Sequence, residues 1–227
     1  MPSDKSRRLV RPKSVQTELK PTNRRLESFS DGVFAIVITI MVLEVAIPDS
    51  LAFTYDASAL EDFAGVLIAY GLSFLVIANL WVSHHYLVFT LSMPARSTIW
   101  LNNLLLFTIT LIPVATRFLG MFPDSPRAAA AYGTVAFVCT AAFMLLRSHA
   151  ARISHNELHR GIHRRILRKT WLFLAIYAAS IPLAFASPWL AWACFISVPP
   201  MLFLPVIRVQ PSDLETMEND TLERSCP

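Results

Sequence analysis

The side chains best able to do chemistry in this chain stand where its first long apolar stretch begins. Arg25, Phe29, Ser30 and Asp31 lead directly into an apolar run that ends near Glu44. One interpretation is a helix cap, in which oxygens of Ser30 and Asp31 accept hydrogen bonds from free backbone amides. The other is a fastening network, in which these groups hold the helix in a defined rotation against its neighbours. Both interpretations fit the sequence.

A second polar group closes the next apolar stretch, at Trp81, His84 and His85. These residues suit an interfacial aromatic belt with polar neighbours. Alternatively, one of the two imidazoles hydrogen-bonds the polar start of the first stretch. A zinc site is disfavoured, because adjacent histidines point in different directions on a helix and no His-Glu-x-x-His motif occurs.

One face of the first stretch carries Ile36, Thr39, Ile40 and Leu43, at the i, i+3, i+4, i+7 spacing of a helical stripe. A core helix of a soluble protein would show much the same stripe. Glu44 follows it directly. Its carboxylate is expected to be solvated at an interface, or to attract cations at an outer mouth.

Composition decides between a soluble and a membrane setting. Apolar residues make up 54% of the chain and charged residues 16%, against roughly 45–50% and about 25% in soluble domains. The net charge of +4 is explained by basic loops that border a membrane, so no nucleic-acid partner is expected. The three cysteines do not form an extracellular framework and are expected to be free thiols. The charges crowd into three segments, 1–31, 147–169 and 208–224.

The fold class expected is an all-α integral membrane protein with six transmembrane helices. Pro113 should kink the third span, and Ser187-Pro188 should join the last two as a hairpin. Each span is close to the roughly 20 residues that a bilayer requires. The expected spans are 29–47, 62–85, 99–119, 127–146, 170–186 and 189–207.

Charge also predicts the orientation of these spans. Lys and Arg fall almost entirely into the loops of one side, with Arg117 and Arg127 as the exceptions. Because positive loops stay inside, both termini should be cytoplasmic. The expected domains are a disordered basic segment 1–22, a six-helix membrane domain 23–207 and a polar tail 208–227.

The sequence contains few residues in patterns that are typical of enzymes. The sequence has no hydrolase-type order of Ser, His and Asp, no Gly-rich phosphate loop and no carboxylate pair in mid-membrane. His155, His159 and His163 share one helical face, but the arginines beside them would repel a cation, so an amphipathic solvated or lipid-facing helix is expected. We therefore predict a protein that is not an enzyme and that needs no cofactor and no metal.

Four short patterns carry a family resemblance that covers most of residues 24–207. They are Arg25-x-x-x-Phe29-Ser30-Asp31-Gly-Val-Phe-Ala-Ile, Trp81-x-x-His84-His85, Trp100-Leu-Asn102-Asn103-Leu-Leu-Leu-Phe107 and Leu111-Ile-Pro113. Together they resemble the transmembrane protein 175 family of endolysosomal and bacterial potassium-permeable channels. A single six-span repeat resembles the prokaryotic members, which implies a bacterial inner membrane.

The resemblance implies a homotetramer in which the first span of each subunit lines a central pore. Ile36 then matches the narrowest apolar ring and Thr39 a hydroxyl ring one turn further on. Ile40 and Leu43 match further lining positions. The resemblance also implies that the polar motif braces this helix with a histidine of the second span, His84 or His85, with His84 favoured. The residues expected in this network are Arg25, Phe29, Ser30, Asp31, Trp81, His84, His85 and Asn102.

The physical argument agrees with the resemblance. An apolar stripe repeated around an axis makes a constriction that gates by dewetting. Such walls cannot coordinate an ion, so discrimination would rest on dehydration, which costs potassium less than sodium. The function expected is a potassium-permeable cation channel. The alternative is a secondary transporter or proton-conducting pathway, which would need a mid-membrane ionisable relay and broken helices.

Overall fold

Helices make up the regular secondary structure of the described part of the chain. The computed structural model describes residues 23–45, 57–89, 91, 94–153 and 157–203. The predicted terminal segments 1–22 and 208–227 lie outside these residues. We number the helices in chain order as α1 (Asn23–Leu43), α2 (Ala57–Phe89), α3 (Arg96–Ile109), α4 (Ile112–Met121), α5 (Pro126–Ile153), α6 (Glu157–Ala186) and α7 (Pro188–Phe203).

Several of these helices start earlier or end later than the apolar stretches that predicted them. α1 begins at Asn23 rather than near 29, and α2 extends from Ala57 to Phe89 rather than from 62 to 85. An apolar run marks where a helix meets lipid, whereas the backbone hydrogen bonds continue into the polar flanks. Ser30 and Asp31 therefore lie inside α1 instead of capping it.

Within the described residues, five helical segments are long and apolar enough to cross a membrane: Asn23–Leu43, Phe63–Phe89, Arg96–Met121, Pro126–Ile153 and Ile166–Ala186. They confirm an all-helical membrane architecture. The sixth predicted span, 189–207, is described only in part: α7 has 16 residues, and residues 204–207 lie outside the described part. The count of six and the cytoplasmic termini therefore remain predictions.

The third membrane segment is broken into α3 and α4, as Pro113 led us to expect. Thr110 and Leu111 form a turn between the two helices. Pro113 has no N–H to donate to the carbonyl of Ile109, so the ladder of helical hydrogen bonds is interrupted there. The Leu111 amide instead donates to the Thr108 carbonyl at 3.2 Å, which tightens the last turn of α3.

The last two helices meet at a single residue, Ser187. Its amide donates to the Leu183 carbonyl at 2.9 Å, and its own carbonyl accepts from the Leu190 amide at 3.0 Å. α6 and α7 pack against each other. The predicted tight connection is confirmed, and α6 runs through Pro182 without ending.

Two apolar clusters form the core. The first is built around α1, which buries Leu26, Ser30, Phe34, Val37 and Met41. These positions recur every three or four residues, so only one face of α1 is packed. That face contacts α2, α3 and α4.

The second cluster joins α5, α6 and α7. The ring of Tyr132 stands edge-on to that of Phe195, with centroids 4.7 Å apart, and Tyr177 and Trp192 belong to the same cluster. Lipid is as apolar as these side chains, so close packing rather than removal from water stabilises the contact.

Gly133 permits the close approach of α5 to α6, and this predicts a stability effect. A Cβ at this position would stand 2.4 Å from the Ser180 hydroxyl oxygen, which donates to the Tyr177 carbonyl. We expect Gly133→Ala to destabilise the fold, by about 1–3 kcal/mol for an overpacked core. Thermal unfolding in detergent measures this change.

Two variants serve as controls for this prediction. Ser180→Ala in the Gly133→Ala background removes the obstructing oxygen and should recover part of the loss. Gly71→Ala adds its methyl where no atom stands within 4 Å, so its melting temperature should not fall. Equal losses at Gly133 and Gly71 would contradict the packing argument.

Candidate functional site

The predicted pore-lining stripe of α1 lies on the face that the other described residues leave uncovered. Ile36 is 58% exposed, Ile40 42% and Leu43 78%. Thr39 is exposed beside them. The single chain thus buries one side of α1 and presents the other to lipid or to another protein surface.

The exposed face of α1 extends through the polar motif. Arg25, Phe29 and Gly32 are exposed, and their spacing places them above Ile36 on the same side of the helix. Arg25 and Phe29 therefore continue the stripe of Ile36. The sequence motif is split between two faces of one helix.

Thr39 is the hydroxyl of this stripe. Its Oγ1 lies 3.0 Å from the Ala35 carbonyl oxygen and 2.9 Å from that of Ile36, and it donates within its own helix. A hydroxyl has one donor hydrogen and two acceptor lone pairs. With the hydrogen directed at the backbone, the oxygen can offer an acceptor to a group outside the helix.

The other side of α1 is joined to α3 and α2 by a fully buried series of hydrogen-bonded polar side chains. Ser30 Oγ donates to the Leu26 carbonyl at 2.8 Å and accepts from Asn102 Nδ2 at 3.0 Å. Asn102 Oδ1 lies 2.7 Å from His84 Nε2. Because an amide oxygen can only accept, His84 must carry its proton on Nε2. Each member is satisfied, as a buried polar group must be.

A second, more exposed layer joins α1 to α2. The indole Nε1 of Trp81 donates to Asp31 Oδ1 at 2.9 Å. One turn away, His85 Nδ1 lies 3.3 Å from Glu27 Oε1. The rings of Trp81 and His85 stack with centroids 6.0 Å apart. Glu27 and Asp31 are four residues apart on α1, and Trp81 and His85 are four residues apart on α2. The two pairs of side chains therefore face each other across the helix contact.

These contacts place both histidines of the second span against α1, by different routes. His84 reaches Ser30 through Asn102, and His85 reaches Glu27 directly. The helix-cap interpretation of Ser30 is wrong, because its hydroxyl donates to a carbonyl inside the helix. Arg25 and Phe29 were expected in this network, but they lie on the exposed face.

Sequence reasoning missed two further residues at this end of the molecule. Glu27 faces His85. Residues 27 and 31 are four apart, as are residues 81 and 85, and this equal spacing could have indicated the contact. Arg147 of α5 was counted only as an orienting charge, yet it is 1% exposed. Its Nη2 donates to the Ser83 carbonyl at 2.7 Å, and its guanidinium lies 4.9 Å from the centre of the Phe143 ring.

A second buried polar cluster lies deeper, between α2, α4 and α5. Thr116 Oγ1 lies 2.8 Å from Ser73 Oγ, which lies 3.0 Å from the Tyr132 hydroxyl. Three hydroxyls from three helices thus satisfy one another within the membrane. They attach the second half of the broken span to its neighbours.

No metal-binding group of three or more His, Cys, Asp or Glu occurs within the described residues. His155 lies outside them. The contacts of Ser30, Asp31 and Glu27 attach one face of α1 to α2 and α3, so they act as a support for that face.

Known proteins resemble this chain along most of its length. The profile of the family described as endosomal/lysosomal potassium channel TMEM175 matches residues 25–113. A potassium channel of Chryseobacterium sp. (strain P1-3) is 31% identical over 193 residues, which cover 84% of this chain and 97% of that one. A potassium channel of Chamaesiphon minutus is 30% identical over 181 residues, or 76% of this chain and 89% of that one.

The fold agrees with the sequence. The crystal structure of a lysosomal potassium-selective channel TMEM175 homologue from Chamaesiphon minutus matches with a TM-score of 0.72 and 27% identity. The match covers 81% of this chain and 97% of that chain. The residues matched by the family profile include Ser30, His84 and Asn102, which join α1 to its neighbours. This multi-pass membrane protein therefore belongs to the TMEM175 family of potassium channels.

Proposed function

We propose that this chain is one subunit of a potassium-permeable channel, in which homotetramer formation places α1 of each copy around a shared axis. One observation carries the proposal: among the described residues, α1 is packed on one face and uncovered on the other, and the uncovered face holds Ile36, Thr39, Ile40 and Leu43. The potassium channels similar to this chain support the choice of ion.

Ile36 forms the narrowest ring of this pore. Alkyl side chains around a narrow water column favour its drying, so the ring is both a gate and a barrier to ions. A passing cation must lose part of its hydration shell there. Potassium loses water at a lower free-energy cost than sodium, which gives a preference for potassium. The Thr39 oxygens then stabilise the partly hydrated ion one turn further on.

The buried polar groups set which face of α1 meets the axis. A rotation of α1 by one residue, about 100°, would separate Ser30 from Asn102 and leave buried donors and acceptors unpaired. It would also move Ile36 away from the axis. The network of Ser30, Asn102 and His84 is therefore the brace of the pore helix, and the contacts of Asp31 and Glu27 reinforce it.

The proposal includes the number of spans, their orientation and the membrane in which the channel lies. Six spans follow from the six apolar stretches, and cytoplasmic termini follow from the distribution of Lys and Arg. The similarity to bacterial channels supports a bacterial inner membrane. The braced end of α1 is then cytoplasmic and its Leu43 end is periplasmic. Transport is passive, with potassium ions and lipid as partners, and the protein is not an enzyme.

Replacing Ile36 by Asn tests the constriction. Amide side chains would keep the ring wet, so the variant should conduct more, with a smaller preference for potassium over sodium. Single-channel recording in planar bilayers measures both quantities. Val42→Asn is the matched control, since Val42 is 52% exposed on α1 but lies about 120° from Ile36 around the helix.

The outcomes separate the competing functions. Unchanged conductance in Ile36→Asn, or the same change in Val42→Asn, would contradict the placement of the constriction. Substrate exchange or proton flux without single-channel steps would instead favour a transporter or a proton pathway.

Replacing Asn102 by Leu tests the brace. The change leaves the His84 Nε2 hydrogen without its acceptor in a buried site, which costs about 1–3 kcal/mol. We expect a lower melting temperature together with altered conductance, because α1 loses its fixed rotation. Asn103→Leu is the control, since Asn103 lies beside Asn102 on α3 but takes no part in the network. A melting temperature that falls equally in both variants would argue against the brace.

A further inference from the structure

Two ion pairs of the described residues join the ends of α1 to other helices. At the end that begins the helix, Glu27 pairs with His85 of α2. At the other end, Arg117 Nη1 of α4 lies 3.1 Å from Glu44 Oε2. The first pair belongs to the brace. The second stands apart from it, directly after the last residue of the apolar stripe, Leu43.

The Glu44 end of α1 is a place of concentrated negative charge. The carbonyls of the final turn carry the negative end of the helix dipole. α1 has no basic residue in its last turn that would offset them. Glu44 adds a full negative charge immediately after Leu43, with its side chain 20% exposed. Unopposed, this arrangement would attract cations to the mouth next to Leu43.

Arg117 opposes that charge from a different helix. It lies on α4, the half of the broken span that begins at Ile112, and its side chain is 58% exposed. An exposed ion pair of this kind contributes little to stability, about 0–1 kcal/mol. The pair matters more for the local electrostatic potential than for stability. Arg117 changes the net charge at the end of α1 from negative to nearly neutral.

We propose that Arg117 sets the rate at which cations reach the pore, by neutralising Glu44 at the periplasmic mouth. The inference rests on the proposed function, since it requires the Leu43 end of α1 to open onto the axis. With several subunits the pair repeats around that axis as a ring of matched charges. Ion permeation through the Ile36 ring is unaffected, whereas the local concentration of cations outside it changes.

Opposite charge changes at the two partners give opposite results under this proposal. Arg117→Gln leaves the Glu44 carboxylates unopposed and should raise potassium conductance, by about twofold at low salt. Glu44→Gln leaves the arginines unopposed and should lower it by a similar factor. The double variant Glu44→Gln with Arg117→Gln should return close to the original conductance, because the ring is again neutral.

Salt separates this electrostatic role from a structural one. The effects should be clear at about 0.01 M salt, where the Debye length is about 30 Å, and disappear at about 1 M, where it is about 3 Å. Two controls complete the set. Arg117→Lys keeps the charge and should conduct normally. Arg127→Gln removes the same charge from the exposed start of α5 and should have little effect.

Several results would overturn the inference. One is a change of the same sign in both single variants. Others are a loss of conductance in the double variant, an effect that persists at high salt, and an equal effect at Arg127. A failure of the proposed function looks different, because Ile36→Asn would then leave transport unchanged as well. If Ile36→Asn behaves as expected and the Arg117 series does not, only the charge-ring proposal fails.

Discussion

The orientation of α1 depends on one buried interaction, the hydrogen bonds that run from Ser30 through Asn102 to His84. Apolar contacts of α1 with its neighbours are replaceable by contacts with lipid, so they hold the helix in place only weakly. The polar chain is different, because each of its groups would be costly to leave unpaired in this interior. It therefore decides which residues of α1 face inward and which remain uncovered.

Much of this arrangement could be read from the sequence, and the limits have a physical reason. Apolar length and the position of Pro113 predicted the membrane helices and the break in the third segment. The spacing of residues 36, 39, 40 and 43 predicted a single face. Helix ends were less accurate, since α1 begins at Asn23, well before the apolar run does.

Contacts between distant helices could not be predicted in the same way. Nothing in or beside α1 indicates that Glu44 meets Arg117, because that pairing follows from how the helices pack. The polar motif at the start of α1, which is split between two faces of the helix, is an intermediate case. Counting 100° per residue already separates Phe29 from Ser30, but only the packed neighbours show which of the two is covered.

The turn at Thr110 and Leu111 has a mechanical consequence for α1. α3 carries Asn102, which hydrogen-bonds Ser30 in the first half of α1, and α4 carries Arg117, which pairs with Glu44 at the opposite end of α1. A continuous helix would transmit any tilt from the Asn102 contact to the Arg117 contact. The turn at Thr110 and Leu111 interrupts that connection, so a tilt of α4 at Arg117 is not passed rigidly to Asn102.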